Sequence, residues 1–304
     1  MHTTMNDEQK NRLIGTIVKR EKLRPLSRPV RLLNDPLRAF PYYILAAVSH
    51  LKPFKISWKT LWGDLMTGYL PEANTFYYYG YCEANLTTFL LRFLKEGSTF
   101  IDIGAHIGFY SMFASRLLGK SGKVYSFEPT PWTFKLLKEN TDGMDNVSIS
   151  NVGASDSEGE ISFHDYGPGY GAYNSGSSEG TMLSFKPKEI TAKTVRLDSF
   201  FRQKGIRPDF IKLDAEGLEY KILKGLTETL RTSRPIITLE MAGDEKWSEN
   251  RNVSTEILFN AGYVSYAMAD DGFIKSCDIE SSYTYTNILF IPKEKLNLVS
   301  HLIR

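Results

Sequence analysis

The chain has 304 residues, 42 % of them hydrophobic, which is enough to bury a full core with an appended element beside it. Its 37 basic and 35 acidic side chains leave a formal charge of +2, so no global field points to nucleic acid as a partner. The two cysteines, Cys82 and Cys277, lie far apart without C-x-x-C spacing, which argues against a zinc site or disulfide framework and fits a reducing cytoplasm.

From Met1 to about Leu70 the chain is rich in basic residues and carries Pro25, Pro29, Pro36, Pro41 and Pro53. This reads as an N-terminal basic extension or cap over residues 1–75, made of short helices and irregular pieces. Ile56 to Leu70, with Trp58, Leu61, Trp62, Leu65 and Met66, is expected to pack on the catalytic domain. The apolar stretch Tyr42 to Val48 is too short to span a bilayer, and Met1 lacks signal-peptide flanks. The basic positions offer at most a peripheral contact with an anionic membrane, or a subunit contact, or simply a solvated arm.

From residue 76 to 304 the texture changes to short β-branched runs separated by helical patterns, the signature of an α/β sheet. Strands are expected at Thr99 to Ile103, Lys123 to Phe127, Val147 to Val152, Phe210 to Leu213, Ile236 to Leu239, Tyr263 to Met268 and Ile288 to Ile291. Helical spacing marks Phe109 to Leu118, Pro131 to Asn140, Leu218 to Leu230 and Ser254 to Asn260. No long helical pattern separates the last two strands, so they are expected to form an antiparallel hairpin closing an otherwise parallel sheet. Ile161 to Asp165 and Thr191 to Leu197 are expected to pair as an inserted hairpin around a variable loop, residues 166–190, which reads as a lid or as a plain surface loop.

The first strand runs into Gly104-Ala105-His106-Ile107-Gly108 and then a helix. Gly104 permits a sharp turn beside a ligand, Gly108 permits close helix packing, and the amides at the helix start are expected to face the ligand. Alone this is weak, since any turn at a strand end needs small residues. The second strand ends on Glu128, about twenty residues after the loop, where one carboxylate accepts hydrogen bonds from both hydroxyls of an adenosine ribose. NAD would satisfy that carboxylate too. Asp102 discriminates: the chain lacks a G-x-G-x-x-G pyrophosphate loop, and an acid here suits a cofactor carrying an ammonium and a sulfonium.

At these residues the chain resembles the FkbM family of S-adenosylmethionine-dependent methyltransferases. The matching stretches are Tyr81 to Glu83, Phe100 to Ser111, Val124 to Asn140, Asn151 to Gly159, Asp209 to Gly225 and Asn287 to Pro292, in order. The resemblance implies a class I methyltransferase Rossmann-like fold, with a seven-stranded, mostly parallel sheet and an antiparallel final strand. It also implies methyl transfer, commonly to a hydroxyl of a sugar, glycan or other small metabolite. It assigns Asp102, Gly104, Ala105 and Gly108 to the cofactor loop, Glu128 to the ribose, and Val152, Gly153 and Ala154 to the adenine. His106 stands in that loop where the general pattern has glycine and the family more often has asparagine.

Transfer to a hydroxyl needs alignment, water exclusion and a base. Asp214 and Glu216 stand at the carboxyl end of the fourth strand and are the catalytic candidates, with Glu240 projecting toward the same edge. General base or acceptor positioning, helix capping near Gly217, and binding of a divalent metal all remain open for these carboxylates. His106 and His164 are secondary candidates for the base, and Trp132 for a contact over the adenine, although a core position suits Trp132 better. The aromatic run Phe76 to Tyr81, followed by Glu83, reads as packing or as a border of the acceptor pocket. A non-catalytic S-adenosylmethionine-binding protein and an NAD-dependent oxidoreductase are the competing readings. Nucleic-acid methylation is disfavoured by the missing Asn/Asp-Pro-Pro-Tyr/Phe motif.

Overall fold

A computed structural model of the protein describes residues 4–170, 187–215, 217–241, 248–279 and 286–304. The chain begins with α1 (Asp7–Glu21), α2 (Arg28–Asn34) and α3 (Pro36–Leu51). Asn6 and Gln9 cap α1 reciprocally, and proline stands in the first turn of both α2 and α3, where no amide partner is lost.

The next segment departs from the expected irregular pieces. It is a β-hairpin, β1 (Phe54–Lys59) with β2 (Leu65–Leu70), paired from Phe54 opposite Leu70 to Lys59 opposite Leu65. The cause is a period-2 pattern: Phe54, Ile56 and Trp58 turn inward while Lys55, Ser57 and Lys59 face solvent. The hairpin packs on the catalytic domain as expected. Asp64 forms a buried ion pair with Arg116, and Asn140 hydrogen-bonds both backbone groups of Thr67 at 2.7 and 2.8 Å.

After α4 (Asn74–Tyr79) and α5 (Ala84–Phe93) come β3 (Thr99–Ile103), α6 (Phe109–Leu118), β4 (Lys123–Phe127), α7 (Pro131–Asn140) and β5 (Val147–Ser150). Next come β6 (Gly153–Ser155), β7 (Gly159–Asp165), β8 (Lys188–Arg196), α8 (Leu197–Lys204) and β9 (Phe210–Leu213). The chain continues through α9 (Glu219–Lys224), α10 (Thr227–Thr232), β10 (Ile236–Met241), α11 (Ser248–Asn260), β11 (Tyr263–Met268), β12 (Ile274–Ser276) and β13 (Thr286–Pro292).

The main sheet has the order β12-β11-β13-β10-β9-β3-β4-β5. Strands β3, β4, β5, β9 and β10 are parallel, and β13 is antiparallel to both β10 and β11. This is the expected seven-stranded class I methyltransferase arrangement with an eighth, three-residue strand, β12, at its edge. The closing hairpin also has the expected sense, with β13 inserted between β10 and β11. Chain direction along the sheet order reverses between β3 and β9, so a crevice opens at their carboxyl ends.

The inserted hairpin pairs β7 with β8, from Gly159 opposite Thr194 to Asp165 opposite Lys188, and β6 joins β8 in a separate three-stranded sheet. Most of the candidate lid, at residues 171–186, lies outside the described residues. The single helix expected over Leu218 to Leu230 is instead two. Gly225 lies so close to Ser155 that a Cβ would come 2.1 Å from its carbonyl oxygen, and Asp198 caps α10 through the amides of Glu228 and Thr229, both at 2.8 Å. Side chains alternate across the sheet. Phe100 and Phe210 join the core that includes α5 and α6, while Ile101, Ile103, Ile211 and Leu213 join the core on the opposite face with Leu223 and Leu226.

Candidate active site

At the carboxyl ends of β3, β4 and β9 lies a cavity of about 670 Å³, within the range of small-molecule sites. One wall is the loop after β3. Gly104 has φ +73°, and a Cβ on it would sit 1.8 Å from the carbonyl oxygen of Asp214, so this position demands glycine. The loop amides are engaged within the protein. Those of Gly104 and Ala105 donate to Phe127 O, that of His106 to Glu128 Oε2 at 3.0 Å, and that of Gly108 to Ala105 O. These bonds close the loop on itself and on the end of β4.

Glu128, at the end of β4, is 6 % exposed and faces the cavity. Its Oε2 takes the His106 amide and its Oε1 takes the Thr130 amide at 2.9 Å. Burial raises its proton affinity, while neighbouring His106 and these amides counter the shift. Val152, Gly153 and Ala154, where β5 gives way to β6, complete that side.

Two residues expected at the cofactor do not reach the cavity. Gly108 packs α6 against α7, where a Cβ would lie 2.8 Å from Leu137 Cδ1. Asp102 is 0 % exposed and points into the core side of the sheet, where Ser111 donates to its Oδ2 at 2.6 Å. The cause is register: Asp102 pairs with Lys212 on adjacent β9, and both side chains turn to the same face. Lys212 Nζ lies 3.9 Å from Asp102 Oδ1 and 2.9 Å from Asp214 Oδ2. Asp102 therefore faces a cation of the protein itself.

Lys212 is the centre of an electrostatic cluster that the sequence reading did not single out. Burial disfavours its charge, but Asp214, Asp102 and Glu83 outweigh burial and hold it protonated. In return, burial pushes Asp214 toward the neutral form while the Lys212 charge and hydrogen bonding with Glu240 and Lys212 prevail, and Asp214 stays ionised below the usual carboxylate range. Glu83 behaves oppositely. It lines the cavity, receives hydrogen bonds from Tyr110 and Asn287, and has a raised proton affinity from burial and from the like charge of Asp214. Its backbone has φ +23°, a costly conformation for glutamate that functional sites accommodate.

His106 lines the cavity with φ +52°, which explains why glycine or asparagine suits this position. Its Nε2 pairs with Glu72, and although burial lowers its affinity for a proton, the Glu72 charge and hydrogen bond raise it overall. A histidine whose ring nitrogen is already engaged by a carboxylate is a poor base. His164 lies on β7 outside the cavity lining, and Trp132 donates to Asp165 at 2.9 Å and packs on Tyr69, also outside it. Of the aromatic run, Tyr78, Tyr79 and Tyr81 are buried packing, while Phe76 borders the cavity. Asp214 and Glu240 both line the cavity, and Glu216 lies outside the described residues. Among the described residues, no three His, Cys, Asp or Glu side chains are grouped to hold a metal. The extension contributes Glu21, Arg24, Glu72 and Thr75, so the cavity lies between cap and sheet.

A sheet of this order, with a glycine loop after its first strand and a carboxylate ending its second, defines the class I methyltransferase type of α/β protein. The chain belongs to the FkbM methyltransferase family: the Methyltransferase FkbM domain matches residues 102–265. It is 30 % identical over 182 residues to the hexuronic acid methyltransferase AglP of Haloferax volcanii, covering 58 % of this chain and 71 % of that one. To the 2-O-methyltransferase NoeI of Sinorhizobium fredii it is 28 % identical over 158 residues, covering 47 % of this chain and 63 % of that one. Among solved structures it is similar to a methyltransferase FkbM from Methylobacillus flagellatus, with 14 % identity, a TM-score of 0.41, and 72 % of this chain and 54 % of that one covered, a likeness that adds nothing to the family assignment.

Proposed function

We propose that the chain transfers a methyl group from S-adenosylmethionine to a hydroxyl oxygen of a sugar, in a glycan or another small metabolite. The observation that carries this reading is Glu128. Each of its oxygens accepts a backbone amide, and the carboxylate keeps further lone pairs for the vicinal hydroxyls of a ribose. The side-chain-free approach at Gly104 fits the same ligand, with Gly104, Ala105 and His106 along one side and Val152, Gly153 and Ala154 at the base. The AglP and NoeI relatives support a sugar acceptor. The two free cysteines support a reducing compartment, the cytoplasm.

S-adenosylmethionine supplies an activated methyl on a good leaving group; the protein has to align the acceptor, exclude water and take up the hydroxyl proton. Asp214, kept ionised by Lys212, orients the acceptor hydroxyl. Glu83, whose environment raises its affinity for a proton, receives the proton. Glu216, two residues after Asp214 in the sequence, is kept as a further candidate and is tested by Glu216→Gln. Because the Lys212 ammonium already meets the charge of Asp102 and Asp214, methyl transfer is expected to survive EDTA. Loss of activity restored by added magnesium would assign these carboxylates to a metal instead.

Calorimetric titration with S-adenosylhomocysteine and, in parallel, NADH tests the cofactor. Binding of the former alone is expected, and binding of NADH alone would replace this reading with that of an oxidoreductase. Radiolabelled methyl transfer to a panel of neutral and acidic sugars then identifies the acceptor.

A further inference from the structure

Helix α3 turns one face inward, with Ala39 and Ser49 buried and the Tyr42 ring 4.5 Å from that of Tyr78 on α4. The opposite face of such a surface helix is ordinarily polar. Here it carries Leu37, Phe40, Ile44, Val48 and Leu51 at successive spacings of three and four residues, 92, 60, 49, 48 and 87 % exposed. Val30 and Leu33 of α2 extend the stripe. Seven of the eleven exposed large hydrophobic side chains among the described residues therefore fall between Val30 and Leu51. Scattered apolar residues on a surface need no explanation, but a continuous stripe does.

The charge around the stripe has one sign. From Lys10 to Lys52 there are ten Lys or Arg residues against two acids, in a chain whose totals nearly balance. Lys22, Arg28 and Lys52 flank the two helices and are exposed. A second copy of the chain would bring like charge against like, whereas a surface of anionic lipid headgroups complements it. Helix α3 has 16 residues with Pro41 inside it, and no helix among the described residues is long and apolar enough to cross a membrane.

We propose that α2 and α3 form a docking surface for an anionic lipid bilayer. The apolar stripe lies in the plane of the interface, sunk into the headgroup and acyl boundary, and the flanking Lys and Arg side chains meet lipid phosphates. The cavity wall includes Glu21 and Arg24, at and just beyond the end of α1 and immediately ahead of α2, so docking sets an edge of the cavity beside the membrane plane. The surface rests on exposure and charge alone, and stands whether or not the methyl-transfer reading holds.

The test is sedimentation of the full chain with vesicles of phosphatidylglycerol and phosphatidylcholine, compared with phosphatidylcholine alone, at low and high salt. Binding to the anionic vesicles, weakened by salt, is expected. The double variant Leu37→Ser/Phe40→Ser should reduce it about tenfold or more, and Arg28→Glu/Lys52→Glu by about fivefold or more per position. All four side chains are exposed, and unchanged thermal unfolding verifies that the variants fold. Absence of binding by the unaltered chain, or equal binding by the serine variant, overturns the proposal. So does a dimer, detected by light scattering, that the serine variant dissolves while vesicles bind nothing.

Discussion

Glu128 is the residue on which the cofactor reading turns, and its replacement is the most direct check. Glu128→Ala removes charge-assisted hydrogen bonds and should weaken binding of S-adenosylhomocysteine by about 1.5–3 kcal/mol. Calorimetry measures it, and unchanged affinity would remove the ribose from this position. The two acids near Lys212 should separate kinetically. Glu83→Gln is expected to lower kcat by about 10²–10⁴-fold, with cofactor affinity retained, and to erase an acid limb of the pH–rate profile. Asp214→Asn should act mainly on the KM for the acceptor, and a profile unmoved by Glu83→Gln would return the base to Asp214. His106 offers a stability test with a definite sign. Its folded proton affinity is raised above the ordinary value, so its pairing with Glu72 stabilises fully below the ordinary histidine range and fades as pH rises through the folded value. Melting temperatures of the parent and Glu72→Gln, from about pH 6 to about pH 9, should therefore converge with rising pH; a difference that widens would contradict the pairing. Gly104, Glu128 and Asp214 were legible in the sequence because each ends a strand or begins a turn. Lys212 was not, and Glu83 was legible only as a residue at the possible border of the acceptor pocket, because their electrostatic significance lies in neighbours brought together by the fold. A lysine inside the otherwise apolar strand Phe210–Leu213 was nevertheless a signal, since a buried ammonium requires carboxylate partners.

Among the elements, long periodic segments were read to the residue. Helices α6 and α7 and strands β3, β4, β9 and β11 have the expected bounds, because each presents an unbroken apolar pattern or a proline or glycine at its edge. The misread elements are those set by tertiary contacts. Three-residue β12 is too short to carry a period, and the break between α9 and α10 depends on Asp198, roughly thirty residues upstream of the amides it caps. That cap has a measurable consequence. Asp198→Ala leaves the buried Thr229 amide, the half-buried Glu228 amide and the Thr229 hydroxyl without their acceptor, and should destabilise the protein by about 2–4 kcal/mol. Urea unfolding reads it out, and a loss under about 0.5 kcal/mol would mean that another group caps α10. The hairpin of β1 and β2 was legible in principle from its alternating residues, but the proline-rich surroundings obscured it.

At the scale of the whole molecule, the basic extension is continuous with the catalytic core. Ile17, Trp58, Met66 and Leu70 belong to the same buried cluster as Phe100 and Phe113, so the change of texture near residue 75 marks a change of pattern and not of core. Asn140 draws the connection tight. Its side chain holds Thr67 of the hairpin by two hydrogen bonds and donates to Ile107 O, in the glycine loop, at 2.7 Å. Through one amide, the end of α7 thus fastens a strand of the cap to the loop that borders the cavity. Thermodynamic reciprocity gives that arrangement a consequence: whatever ligand quiets the loop must also quiet the hairpin, and loosening the hairpin must tax the ligand by the same free energy. Hydrogen exchange at the Thr67 amide should slow when S-adenosylhomocysteine binds, and Asn140→Ala should abolish that protection. An amide that exchanges at one rate, with and without ligand, would mean that the cap and the cavity keep separate time.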